Sequence, residues 1–312
     1  SRQRTYNRVQ AAVDDLTLGV FSPSVLLDVA RQTGRLSAAD LNVRDMPVPS
    51  SPAQFGSLRD GEYDAVFTSP DNVLAYRFLA VNPLGESLDV EIVAGLDRGL
   101  GLCLGTRAGV TDAAEVSGGR FGVDVATSGF AFVGYALLEE LGLSRSAVEI
   151  VALGSTPKRA AALQAGGCDA TVLNAGNELV AEAGGCELLA DVTRLGPYLG
   201  TVVARMREAP GAAAVDRLVT VLVETARSIK AGELDAEAME SAARLLSLDP
   251  AGATKHLAVL RDPARGLVDD GSVDAAALKT LVGLRRRFLP APELEGLSER
   301  FDEVVRRAVL TG

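Results

Sequence analysis

A single grammar repeats along much of this chain: a short apolar run, then hydroxyl-bearing residues with a proline or glycine, then an amphipathic segment with helical spacing. LTLGV (16–20) leads through Phe21-Ser22-Pro23-Ser24 into VLLDVARQTG. LNVRDMPV (41–48) leads through Ser50-Ser51-Pro52 into a second helix, and DAVFT (64–68) through Ser69-Pro70-Asp71-Asn72 into VLAYRFLA. After VEIVAGL (90–96) and GLGLCLG (99–105) the pattern resumes. GRFGVDV (119–125), VEIVAL (148–153) and CDATVL (168–173) are each followed by a polar turn and a helical segment. CELLADV and GTVVARM (200–206) close the series. Alternation at this spacing predicts parallel sheets built from βαβ units. In such sheets the strand C-termini and the following helix N-termini line one edge, where ligands bind. The unbonded N–H groups at those helix starts attract anions and polar acceptors. Ser22 before Pro23 predicts an N-cap with proline in the first helical position, and Gly34 predicts the stop.

From Gly211 onward the pattern is helical only, over about 212–231, 234–247, 250–261, 272–287 and 294–309. These segments read as helices covering a sheet, not as a third domain. The length of 312 residues predicts two domains, and 47% apolar with 23% charged residues predicts a folded chain. A formal charge of −10 argues against a nucleic-acid partner, which needs basic residues to displace counterions. With no Trp and 4% aromatics, the core must come from Ala, Val and Leu. No apolar run reaches the ~18 residues of a membrane helix. Cys103, Cys168 and Cys186 have no CxxC spacing and are expected as buried free thiols, with no metal site.

Few motifs carry chemistry. GLGLCLG is one residue off GxGxxG and opens no helix, so its glycines are expected to give close backbone approach within a strand. Ser155-Thr156-Pro157-Lys158 matches SxxK, but no KTG follows and the Ser reads as a helix cap. His256, the one histidine, is expected to pack within a late helix. The pairs Asp14-Asp15, Glu139-Glu140 and Asp269-Asp270 are expected on helices or turns. No catalytic constellation and no cofactor is predicted. The recurring element is the strand-end cluster: neutral donors beside two Phe rings, suited to a small ligand bearing a carboxylate, sulfonate or polar heteroatoms.

The segments GVFSPSVLLDVARQTG, LRDGEYDAVFTSPDNVLAY, GVTDAAEVSGGRFGVDVATSGFAFVGYALLEELGL and VALGSTPKRAAALQAGGCDATVLNAG resemble type II periplasmic solute-binding proteins. The resemblance covers about residues 16–206. It is strongest to the branch of aliphatic sulfonate, nitrate/taurine and thiamine-pyrimidine binders. It implies an α/β, two-lobed fold with two crossover strands and a helical C-terminal cover. Lobe I would comprise 16–96 and 203–312, and lobe II 97–202. The crossings would lie near Val93–Leu100 and Tyr198–Val202. Ligand contacts are implied at Phe21, Ser22, Thr68, Ser69, Thr127, Ser128, Gly129 and Phe130, with Asn174 and Tyr198 at the cleft floor; Ser50, Ser155 and Thr156 are expected beside them as strand-end hydroxyls. Thr127, Ser128 and Gly129 would donate to the ligand head, with Phe21 and Phe130 about its apolar body. The implied partners are a small-molecule ligand and an ABC permease, with no nucleic acid, and a monomer is expected. The implied location is extracytoplasmic. The alternative is a cytoplasmic enzyme on the same fold, similar to a decarboxylase or pyrimidine synthase, acting on a small aromatic or heterocyclic acid. RQRTYNRVQAAVDD has no lipobox cysteine and reads as an ordered or intracellular start, which is what keeps that alternative open.

Overall fold

The computed structural model describes residues 12–312. The reading of the Arg-rich start falls mostly on residues 1–11, outside the described residues. The first half of the chain runs β1 (Asp14–Val20), α1 (Val25–Gln32), α2 (Arg35–Ala38), β2 (Leu41–Pro47), α3 (Ser51–Arg59), β3 (Ala65–Thr68), α4 (Pro70–Phe78) and β4 (Val90–Asp97). A second series follows: β5 (Cys103–Thr106), β6 (Arg120–Val123), α5 (Gly129–Glu140), β7 (Glu149–Ala152), α6 (Thr156–Ala165), β8 (Ala170–Leu173), α7 (Asn177–Ala183) and β9 (Glu187–Asp191). Then come β10 (Thr201–Met206), α8 (Ala212–Lys230), α9 (Asp235–Leu246), α10 (Pro250–Arg261), β11 (Val273–Asp274), α11 (Ala275–Phe288) and β12 (Leu310–Thr311).

Two five-stranded sheets result, ordered β2-β1-β3-β10-β4 and β7-β6-β8-β5-β9. In the first, β1, β2 and β3 are parallel while β10 runs antiparallel to β3 and β4. In the second, β6, β7 and β8 are parallel while β5 is antiparallel to β8 and β9. The chain passes between the sheets twice, over 98–102 and 192–200. This is the two-lobed α/β fold that the sequence predicts. Every residue of β4 is buried, as expected of a strand covered on both faces. One apolar core runs from Val66 and Ile92 of the first sheet through α11 to Phe121 and Val172 of the second. Cys103, Cys168 and Cys186 are free and buried, and His256 is buried in α10.

Four local expectations are corrected. Ser24, not Ser22, caps α1: its backbone is extended and its Oγ accepts from the Leu27 N–H at 3.1 Å. The helix starts after the Ser-Pro-Ser turn, so Pro23 lies outside it. Residues 99–101 are not a strand: Gly99, Leu100 and Gly101 have φ of +107°, +51° and +77°. The chain turns there from one sheet to the next through left-handed conformations that glycine adopts freely. Asp14 and Asp15 lie in β1, because Asp14 pairs with Leu41 of β2 and extends the strand beyond its apolar run. The 294–309 segment is no helix but three single 3-10 turns, Pro292–Leu294, Leu297–Glu299 and Phe301–Glu303, ending at β12. Gly296 at φ +69° interrupts the helical ladder, and the backbone is instead used to cover β4. The Ile92 N–H donates to Val304 O at 2.8 Å and the Ile92 carbonyl accepts from the Arg306 N–H at 2.9 Å, which protects an edge strand.

Candidate functional site

The helix starts at the strand-end edges are held by local chemistry. Ser50, Ser69 and Ser128 have extended backbones, and each Oγ accepts an N–H from the first turn of α3, α4 and α5 respectively. Thr68 is buried and accepts from the Asn72 side chain at 3.1 Å. Ser128 also donates to Asp124. Ser155 stands at the cap position of α6 but makes no side-chain cap bond, so the expected capping role is absent and its exposed hydroxyl is free of it. Thr127 is exposed, Ser22 and Phe130 are half-buried, and the Phe21 ring is 40% exposed. Phe130 packs against the main core. Ser50 follows β2, the outermost strand of the first sheet.

Two helix starts, those of α4 and α5, bring the sheets into contact. Gly129, at the start of α5, lies against Asp71, at the start of α4: an added Cβ would sit 2.9 Å from Asp71 Oδ2. Asp71 is buried and takes a bidentate bond from Arg285 of α11, at 2.8 and 2.7 Å. The same guanidinium lies 5.3 Å from the centre of the Phe132 ring on α5. Phe288 of α11 stacks on Phe132 with ring centres 6.0 Å apart. Helix α11 therefore ties the α4 start to the α5 start, using a charged pair that is fully hydrogen-bonded across its two carboxylate oxygens.

Asn174 and Tyr198 meet at the crossings. Asn174 Nδ2 donates to Gly99 O at 3.1 Å, and the Tyr198 ring packs on Gly99. Burial, with Asp71 and Asp97 nearby, pushes the Tyr198 hydroxyl well above its usual range. Asp97 ends β4, accepts from the Gly99 N–H at 2.8 Å, and is pushed up to about 6 by burial, against hydrogen bonds with Thr201 and Gly99. A Cβ on Gly200 would come within 2.6 Å of Asp97 and of Gly99, so the outgoing and returning segments touch.

Several residues of this region give no signal in the sequence pattern. Arg159 of α6 is 2% exposed and donates to Gly154 O, Val172 O and the Thr156 and Thr171 hydroxyls. Among the described residues no carboxylate lies within 4.0 Å of it. Burial lowers its pKa, and the Asp124 charge opposes that shift. A buried guanidinium solvated only by carbonyls and hydroxyls places positive potential beneath the α6 start. Gln54 of α3, fully buried, donates to Gly19 O and Phe67 O at 3.0 Å each, bridging the ends of β1 and β3. Arg285 lies in the run Arg285-Arg286-Arg287, which in sequence looks like a solvated face. Among the described residues, no three His, Cys, Asp or Glu side chains group closely enough to hold a metal ion.

Two sheets joined by two crossings, with strand-end edges meeting at the α4 and α5 starts, define the type II periplasmic solute-binding fold. Solved structures share it. The alkanesulfonate-binding protein SsuA from Xanthomonas axonopodis pv. citri, bound to MOPS, is 18% identical, covering 96% of this chain and 99% of its own, with a TM-score of 0.70. The periplasmic nitrate-binding protein NrtA from Synechocystis PCC 6803 is 12% identical, covering 96% and 87%, with a TM-score of 0.74. The desulfurization enzyme DSZB is 18% identical, covering 92% and 99%, with a TM-score of 0.62. What these structures have in common with the chain is the fold. No protein-family model and no curated protein matches it.

Proposed function

We propose that this protein captures a small organic ligand, anionic or polar-aromatic, between two lobes and delivers it to an ABC importer from the extracytoplasmic side. Lobe I comprises 16–96 and 203–312, and lobe II 97–202. The observation that carries this reading is the meeting of the α4 and α5 starts, one from each sheet, at Gly129 and Asp71. A ligand touching both edges makes its full contacts only when the lobes are together, so it shifts an open–closed equilibrium by that difference in affinity. The fold of sulfonate- and nitrate-binding proteins supports the ligand class, as does the Arg159 charge beneath the α6 start. No helix among the described residues is long and apolar enough to cross a membrane.

Thr127 and Ser155, exposed and without cap bonds, are the hydroxyls free to meet a ligand head, and Phe21 offers an exposed ring. Thermal-shift and calorimetric titration with alkanesulfonates, aromatic carboxylates, nitrate and pyrimidines tests the reading. A ligand is expected whose affinity falls at least tenfold in Thr127→Val, Ser155→Ala or Phe21→Ala. Unchanged affinity in all three removes them from the site, and conversion of a bound ligand to product overturns the binding-protein reading.

A further inference from the structure

A cavity opens beside the first crossing, at the start of α7 after β8. It has a volume of about 300 Å³ and is walled by Gly101 and Cys103 after the first crossing, by α7, by β9 with the turn that follows it, and by Val259 and Arg265 from α10 and its C-terminal turn. The site thus draws on elements of the second sheet and on the C-terminal helices together. Its apolar wall includes Leu179, Leu188, Ala190 and Val259.

Glu178 sits in this wall and is 3% exposed. Its Oε2 accepts from the Gly176 N–H at 2.9 Å, while Oε1 is buried with no hydrogen-bond partner. Buried carboxyl oxygens are almost always partnered, so this one points to a missing donor. Gly101, which also lines the cavity, packs beside it: a Cβ there would stand 3.0 Å from Oε1. The charges around it are otherwise engaged. Arg265 gives Nε and Nη2 to Asp262 at 3.1 Å each and turns Nη1 toward Asp191 at 4.0 Å. Lys255 on α10 is bound to Glu182 on α7 at 2.6 Å. Asp191 Oδ1 accepts from the Thr193 N–H at 2.9 Å. Arg194 is exposed at the rim, and Cys103 lines the cavity, its thiol donating to Leu173 O and its pKa raised by burial and the surrounding acids.

We propose that this cavity is a binding site for a small organic ammonium ion, whose N–H donates to Glu178 Oε1 while its carbon chain lies on the leucine and valine wall. Burial holds the Glu178 carboxyl up to about 8, so near neutral pH the empty site is protonated. The ammonium keeps its own protons, and Glu178 releases one to solvent as the carboxylate–ammonium pair forms. None of Phe21, Thr127 and Ser155 lines this cavity, so it is a site apart from the one proposed above.

The test uses the full chain and n-butylammonium, with n-butanol and butyrate as uncharged and anionic controls of the same chain length. Butylammonium is expected to shift the backbone amides of Gly101, Leu179 and Ala190 in NMR titration, with the two controls at least tenfold weaker. Calorimetry at neutral pH in buffers of different ionisation enthalpy is expected to show close to one proton released per ligand, and little release at pH 9. Glu178→Gln is expected to weaken binding at least tenfold and to abolish the proton release. Butyrate binding as well as butylammonium, or a Glu178→Gln variant that binds unchanged, overturns the proposal. Should that variant fold poorly, the ligand series and proton count on the unaltered protein decide the matter alone.

Discussion

Asp71 and Glu178 are both deeply buried carboxylates near contacts between the two halves of the molecule, yet they are treated oppositely. Asp71 receives two guanidinium bonds from Arg285 and presses its side chain against Gly129. Glu178 Oε2 accepts one backbone N–H, while Oε1 is buried without a partner in the wall of a cavity. A charge removed from water must find equivalent partners or give up its ionisation. Asp71 found them, and its helix start is fixed in place. Glu178 did not, so its titration moves toward neutrality and a vacant acceptor remains for something outside the chain. One carboxylate fastens the structure and the other waits for a ligand.

Breaking the paired carboxylate has the largest expected destabilising effect. Arg285→Met leaves Asp71 buried without a counter-charge and is expected to cost about 3–5 kcal/mol in equilibrium denaturation. The double variant Asp71→Asn/Arg285→Met removes both charges and is expected to recover most of that loss. A double variant as unstable as the single one would mean that packing, not charge, holds the junction.

Glu178→Gln moves stability the other way. In the native state this carboxyl titrates at about 8 rather than at 4.5, so between those values the folded protein binds more protons than the unfolded one. Its contribution is therefore fully present below about pH 4.5 and is lost as pH rises through 8. The variant removes that loss and is expected to be more stable than the parent at pH 9 by on the order of 3–5 kcal/mol, with little difference near pH 5. His256 slopes oppositely: burial lowers it to about 4, so its contribution is present above about 6.5 and lost as pH falls toward 4. Denaturation of parent and variant across pH 5–9 isolates the Glu178 slope, and parallel curves would refute the contrast with Asp71.

A smaller effect is expected at the contact itself. Gly129→Ala drives a methyl into a side chain that Arg285 holds still, at about 1–3 kcal/mol. Small-angle scattering should show a larger radius of gyration as the two starts separate; an unchanged profile would show that the contact does not set the closure. The smallest effect separates two serines at helix starts. Ser128→Ala loses a cap bond worth about 1 kcal/mol, whereas Ser155→Ala, which makes none, stays within about 0.5 kcal/mol.

Much of the scaffold was legible because it is written in local terms. Alternating apolar runs and polar turns give each βα unit, and the hydroxyl residues at the helix starts are visible as caps. Reading by spacing failed at the ends of elements, where the path of the chain or a distant segment supplied the reason. Ser24 rather than Ser22 caps α1 because of how the Ser-Pro-Ser turn enters the helix. The 294–309 segment has helical spacing, but Ile92 claims its backbone groups. Gly99 and Gly101 look like strand residues until the chain is seen to turn between sheets.

The candidate site divides in the same way. Its hydroxyls stand at strand ends and could be named one by one, because their position follows from the adjoining strand and helix. Its charges could not. Arg285 lies 214 residues from Asp71 in an arginine run that looks solvated, and Arg159 looks like any cation beside a lysine. Whether a charge is buried, paired or stranded depends on which elements pack over it. The sequence by itself determined the βα units, the capped edges and the folded class of the chain, since these rest on spacing and short-range hydrogen bonds. Only the tertiary structure decided which charged groups meet, because the energy of a buried charge depends on every neighbour within a few ångströms, and those neighbours come from the whole length of the chain.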